Sequence, residues 1–485
     1  MSRKSLIFCL AILAGMLVGI GIALCVLYSG TGDSGDDAKE KVADNARYLL
    51  LPAVPSDAVL LSCFSEADKV LENIHASSDF PAALKESGVR LGRMTVSLHF
   101  SGKLTALYVL DMGKASAQPS EAAEAVLAAA RSCGMSAEYL DCSTTGSRYS
   151  ISGRSIVVAS LSESLVKSSL RHIQKSVSIL EASGFAEASA YVSSGNMIFV
   201  SNELSAKVLS SIFGNKYNSW IRFAPKVSDW TVFDLTEIGE DISLYGSLVT
   251  DGDQSDFISV FSRTGTASSK LSSVLPSNTL SAATLPVVNV AEYISAYHLF
   301  LDARQSLQTR QTAIEALEKK TGTSPVAYFA RLEPKEVATA SFIEGGKLER
   351  VNLIRVAKPD TLKNCASGAY PYKYMSFASA VFGNLYELPD ESSFTYLNGW
   401  LISGSQAGVK AFSDGKAGQY TLKEFMVNAG MDDLFAAESA SFMAYLSLTE
   451  DRGSLESMFS KPVTTALISE IQDSDYSGIF ITVGQ

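Results

Sequence analysis

Histidine is scarce in this chain. Four occur in 485 residues, His75, His99, His172 and His298. No two stand at the helical spacing that offers paired ligands to a metal, and neither HExxH nor CxxC is present. No metal ligand is assigned. Phosphate-loop chemistry is missing too: "EGGKLE" and "DGKAGQYT" lack the GxxxxGK[ST] spacing that wraps backbone N–H groups around a phosphate. No GxGxxG opens a helix after a strand, and no GxSxG elbow occurs, so no cofactor and no catalytic residue is expected. Positive charge is also in deficit, with 40 Lys and Arg against 51 Asp and Glu and a net charge of −11. That balance argues against nucleic acid and acidic lipid headgroups as partners.

Long apolar runs are equally rare. The exception is Leu6–Tyr28, which spans 23 residues without a charge. As a helix it would reach about 34 Å, enough for a bilayer core of about 30 Å. Gly15, Gly19 and Gly21 are tolerated in lipid, and Gly15/Gly19 has the spacing of helix-dimer faces. Arg3 and Lys4 precede the run, and Asp33, Asp36 and Asp37 follow it. Basic residues stay in the cytoplasm, so the remainder is expected outside it, in the periplasm of an inner-membrane protein. Two cleaved forms compete with an uncleaved anchor. A signal peptide would have a shorter apolar core and an A-x-A-like end. A lipoprotein would carry lipid on Cys25, which Ile22-Ala23-Leu24 suits poorly.

Directly after the run comes Gly32-Asp33-Ser34-Gly35, the four-residue surround of a chymotrypsin-type nucleophile. Such a serine needs a histidine base, a buried aspartate and an oxyanion hole on a packed domain. No apolar residue lies between Ser29 and Asp37. The stretch reads as a solvated linker.

Cys9 and Cys25 lie in the apolar run, and Cys63, Cys133, Cys142 and Cys365 beyond it. Cys133 and Cys142 flank the strand-like "MSAEYL" and form the best candidate disulfide, against the alternative of small buried thiols. "YPYKYMSFASAVF" groups Tyr370, Tyr372, Tyr374, Phe377 and Phe382. They are either a binding platform or part of a packed core. "DGDQSDF" lacks the glycine and glutamate of a calcium loop and reads as an acidic turn, with Asp256 capping a helix.

The strongest remaining pattern is an internal repeat. "LPAVPSDAVLLSCFS" is answered by "LPSNTLSAATLPVVN", with Pro55 and Pro276 separated by 221 residues. "MTVSLHFSGKLTALYVLD" alternates about a turn, as does "VATASFIEGGKLERVNLIRVA", and Gly102 to Gly346 is 244 residues. "RYSISGRSIVVAS" is read as a second hairpin, matched by "FTYLNGWLISGS" with its Asn-Gly turn. Gly153 to Gly399 and Phe213 to Phe459 are both 246 residues apart. The extra residues of the second copy fall in "HLFLDARQSLQTRQTAIEALEKKTG". Helices are expected at "SEAAEAVLAAARSCG", from Ser162 towards Gly184, and after Ser65, with Asp68 completing its cap. His99 falls on the polar side of the first hairpin, opposite Met94, Val96, Leu98 and Phe100. It is expected at a solvated surface, and His172 and His298 are read the same way.

Hairpins separated by helices give an α+β class with antiparallel pairing. The resulting map is a basic tail (1–5), a transmembrane anchor (6–28), an acidic linker (29–47), and two related α+β repeats (48–270 and 271–485).

This layout, with "LPAVPSDAVLLSCFS" followed by "YSISGRSIVVASLSESLVKSSL", resembles membrane-anchored bacterial proteins of the domain of unknown function 3352 family. The resemblance implies an envelope protein and carries no activity or catalytic residue. The expected function is a non-enzymatic binding or scaffold region held to the lipid bilayer through Leu6–Tyr28, its ligand or envelope partner unidentified. The alternatives are an exported hydrolase with a site between the repeats and a lipid or peptide carrier.

Overall fold

The alternating segment "MTVSLHF" turns and returns as "LTALYVLD". These pair residue for residue as β2 (Met94–Phe100) and β3 (Leu104–Asp111), from Met94 opposite Leu110 to Phe100 opposite Leu104. The computed structural model of the chain describes residues 50–68, 71, 80–100, 103–112, 119–141, 154–175, 178–190, 196–213, 222–234, 242–249, 254–286, 289–357, 376–388, 393–428, 442–447, 466–473 and 476–483. Leu6–Tyr28 lies outside them. Among the described residues no helix is long and apolar enough to cross a membrane.

The other strands of the first half are β1 (Ala58–Phe64), β4 (Ser136–Asp141), β5 (Ser155–Ser160), β6 (Met197–Ser201), β7 (Trp230–Asp234) and β8 (Ile242–Val249). Those of the second are β9 (Thr279–Pro286), β10 (Pro334–Glu344), β11 (Lys347–Val356), β12 (Ser393–Leu397), β13 (Trp400–Gly404), β14 (Phe442–Ser447), β15 (Ala466–Asp473) and β16 (Tyr476–Val483). Between them run α1 (Phe80–Glu86), α2 (Pro119–Ser132), α3 (Glu163–Lys175), α4 (Phe185–Ala190) and α5 (Asn202–Phe213). The second half carries α6 (Val290–Ala303), α7 (Leu307–Thr321), α8 (Pro325–Leu332), α9 (Phe377–Phe382), α10 (Gln406–Ser413) and α11 (Leu422–Asn428). The class is α+β, and the described pairings are antiparallel.

The order across the first sheet is β4-β5-β3-β2-β1-β6-β7-β8. Across the second it is β12-β13-β11-β10-β9-β14-β15-β16, the same order shifted by eight strands. The two sheets join edge to edge through β8 and β16. Matched end for end, these two eight-residue strands pair self-complementarily: Ile479 faces Gly246 and Phe480 faces Tyr245. An edge strand is a row of unpaired amides, and each sheet covers this one with its counterpart.

Local signals explain the matching connections. Asn398 and Gly399 hold φ of 49° and 87°, the left-handed pair that a two-residue hairpin turn requires, and asparagine and glycine tolerate it. After β5 the Leu165 N–H donates to Ser162 Oγ, and after β13 the Gly408 N–H donates to Ser405 Oγ. Each hairpin thus runs into a serine-capped helix.

Three expectations are corrected, and a fourth falls outside the described residues. β5 is flanked by β3 and β4, and the segment around Ser150, read as its hairpin partner, lies outside the described residues. The helix opened by Ser162 ends at Lys175. A separate short turn, Ile179–Glu181, follows and donates the Ile179 N–H to Val54 O. Ser65 and Asp68 do not cap each other's helix: the Ser65 hydroxyl donates to Asn196 Oδ1, and Asp68 accepts from the Leu91 N–H. Asp256 precedes a 3-10 helix, Phe257–Arg263, and its side chain makes no cap bond.

Apolar side chains cover both faces of the sheets. On one face a continuous cluster runs from Val59 and Phe64 through Phe257 to Tyr293, Phe329 and Phe382. On the other, Phe185 of α4 packs on Phe199 and Trp230 in the first half, and Phe412 of α10 and Leu422 of α11 join Phe342 in the second. Glu336 of β10 is fully buried and ties these parts together. It accepts from Thr284 Oγ1 at 2.8 Å, the Lys270 N–H at 2.9 Å, Arg355 Nε at 3.2 Å and the Ser269 hydroxyl. Glu336→Ala would leave four donors unpaired and is expected to cost about 3 kcal/mol in urea unfolding, with Glu336→Gln costing less. Equal stability of Glu336→Ala and wild type would contradict this.

Candidate functional site

Antiparallel register lays a row of polar residues across three strands. Ser341 of β10 lies opposite Ser281 of β9 on one side and opposite Arg350 of β11 on the other. All three line a cavity of about 880 Å³. Its wall continues through Tyr297, Phe300 and Arg304 at the end of α6, Arg310 in α7, and Phe382 to Glu387 after α9. The first half contributes Arg222, Phe223, Lys226 and Phe257. Part of the wall therefore comes from the helical stretch His298–Gly322.

The chain is shaped to admit these groups. Asn289 caps α6 by accepting from the Ala291 and Glu292 N–H groups. Gly383 has φ of +111°, and a Cβ there would meet the Tyr297 hydroxyl at 2.8 Å, so only glycine lets the tyrosine close over it. Phe257 is the hub of the apolar side, edge-on to Phe223 at 4.9 Å, Phe300 at 5.5 Å and Tyr297 at 6.1 Å.

The charges are unevenly matched. Among the described residues five basic side chains and one acidic side chain, Glu387, line the cavity. Arg304 donates to Ser255 O at 2.9 Å and Pro225 O at 3.3 Å, and lies 5.7 Å from the centre of the Phe300 ring. Arg310 donates to Ser379 O and Asn384 Oδ1, each at 2.7 Å. These acceptors are neutral, so they orient the guanidinium groups without cancelling their charge. Burial holds the Lys226 ammonium below the ordinary lysine range, and Arg304, Arg310 and Arg222 push it the same way. Burial also pulls Arg350 down to about 10, opposed by Glu387. The acidity of the whole chain thus gives no guide to this cavity, which reverses it locally.

A second constellation has the outline of a hydrolase triad. His99 Nε2 lies 2.9 Å from Ser97 Oγ, and its Nδ1 lies 2.9 Å from Asp57 Oδ1. Bonding to His99 holds the Asp57 carboxyl below the usual carboxylate range. The exposures are the reverse of what catalysis needs. Ser97 is wholly buried, His99 is 3% exposed, and the Asp57 side chain is 73% exposed. Ser97 sits between Leu61 and Leu107 of the neighbouring strands. A nucleophile sealed in this way cannot meet a substrate. The group is a polar plug in the second face of the sheet. His99 is therefore not a solvated surface residue, because α3 and the Leu50–Val54 segment cover the face that alternation left to water. His172 and His298 are also half-buried rather than solvated, and desolvation lowers both below the ordinary value of 6.5.

Of the sequence candidates, Tyr370, Tyr372, Tyr374 and Cys142 lie outside the described residues, as does Ser34. Phe377 is buried, edge-on to Tyr328 at 5.4 Å, a core role. Its neighbour Phe382 reaches the cavity. Cys133 is a half-buried free thiol, and burial raises the Cys63 thiol to about 12. Among the described residues no group of His, Cys, Asp and Glu could hold a metal. The cavity arginines were missed because they come from separate helices, strands and loops. The usable signal was the long helical stretch His298–Gly322, which carries Arg304 and Arg310. Comparison with protein-family models, curated proteins and solved structures finds no match.

Two outcomes follow. A fluorophosphonate probe is expected to leave Ser97 unmodified in the folded protein, and a covalent adduct on Ser97 by mass spectrometry would contradict its burial. The fold favours neutral His172 and His298, so stability is full above the ordinary histidine value and falls as pH drops through about 6.5. Asp57 stays ionised throughout that window and contributes no change there. Thermal melts at about pH 7.5 and pH 5.5 should differ less for His298→Gln than for wild type, and an unchanged difference would contradict the assignment.

Proposed function

We propose that this chain is a single-pass envelope protein with its bulk outside the cytoplasm, which binds a ligand without transforming it. Leu6–Tyr28 is its contact with the lipid bilayer, and the acidic linker carries a duplicated α+β unit beyond the headgroups. Support for the duplication comes from landmark spacings of 244 to 246 residues and from the repeated strand order. The resemblance to domain of unknown function 3352 proteins supports the location and adds nothing about chemistry.

The observation that carries the binding reading is the cavity of about 880 Å³, walled by residues 222–257 from the first copy and 281–387 from the second. Its size suits an organic molecule, and a junction between units is where such sites recur.

Membranes washed with alkaline carbonate should retain the full 51.8 kDa chain. Organic extraction of the detergent-purified protein should release a small molecule in about equimolar amount by mass spectrometry. A water-soluble form lacking its apolar start would overturn the anchor. Extracts empty of any small molecule, from protein that also binds none when one is added, would overturn the binding role.

A further inference from the structure

This inference rests on the reading of the cavity as a ligand site and names the class of ligand. We propose that the cavity takes an organic polyanion, with two or more phosphate, sulfonate or carboxylate charges carried on a flat apolar body.

The first argument is charge. Among the described residues the cavity gathers five cations and one carboxylate in a protein whose net charge is −11. Concentrating like charges costs energy unless something offsets them. Arg304 and Arg310 spend their N–H groups on neutral oxygens, and no carboxylate pairs with either among the described residues. Lys226 has no hydrogen-bond acceptor among them and faces three arginine charges. A monoanion would leave most of this excess in place, and a polyanion would not.

The second argument is shape. Phe223, Phe257 and Phe300 form a connected aromatic side facing the same volume as the cations, and Arg304 lies against one of those rings. An inorganic anion would leave that side bare. A neutral hydrocarbon would leave Lys226, Arg304 and Arg310 without an anion.

The test uses the full chain in detergent and two fluorescent probes. One is bis-anilinonaphthalene sulfonate, an aromatic dianion, and the other is phenylnaphthylamine, its uncharged counterpart. The dianion should bind more tightly, weaken as salt rises, and lose about tenfold in affinity in Lys226→Met while Lys226→Arg keeps it. The salt titration needs only wild-type protein, so it stands even if a variant misfolds. Pyrophosphate and vesicles of phosphatidylglycerol are the competitors. Displacement by the first marks a soluble ligand and displacement by the second a lipid headgroup, and either supports a polyanion. Displacement by neither overturns the proposal. Equal affinity for both probes, unmoved by salt and by Lys226→Met, would overturn the anionic class and leave the binding role intact. Binding of neither probe would overturn both.

Discussion

The row Ser281–Ser341–Arg350, fixed by backbone pairing of three antiparallel strands, is the constraint on which the site depends. A guanidinium on a buried sheet face cannot remain without hydrogen bonds. The chain satisfies it by donation to Leu385 O, which pins the segment after α9 over the sheet. That segment is led by Gly383, where Tyr297 closes down, and it ends in the carboxylate of Glu387. One register thus fixes a positive charge, a helix end and a loop, and the space left among them is the cavity.

The same logic explains why the two halves differ in role although their strands follow one order. Each half has a hairpin, a serine-capped helix and an edge strand closed by its counterpart. Those features answer the needs of any antiparallel sheet, namely paired edges and covered faces. The second half carries α6 and α7, at whose adjoining ends Arg304 and Arg310 reach the cavity.

What could be read in the sequence follows from range. Alternation and turn residues act over a few positions, so the β2–β3 and β10–β11 hairpins and the Asn398–Gly399 turn were legible. The spacing of landmarks carried the repeat. Sequence pattern could not tell which face of a strand stays wet. Met94, Val96 and Leu98 marked one apolar face, and the burial of Ser97 and His99 on the other came from α3 and a segment some forty residues upstream. Nor could it anticipate that the helix after Ser162 stops at Lys175, because the Ile179 N–H is claimed by Val54, far back in the chain. The basic cavity was illegible for the same reason. Arg222, Arg304 and Arg350 are separated by dozens of residues, and each alone looks like a surface arginine.

The central claim is that an excess of positive charge is held in this cavity and awaits an anion. Lys226 reports on it most directly, because burial and three arginines lower its proton affinity together. Reductive dimethylation with a carbon-13 reagent makes each lysine visible by NMR, and Lys226→Arg identifies its signal. Titration should show this amine losing its proton below the ordinary lysine range, and pyrophosphate should move that transition upward, since a nearby anion favours the charged form. An ordinary transition that pyrophosphate leaves in place would contradict the account.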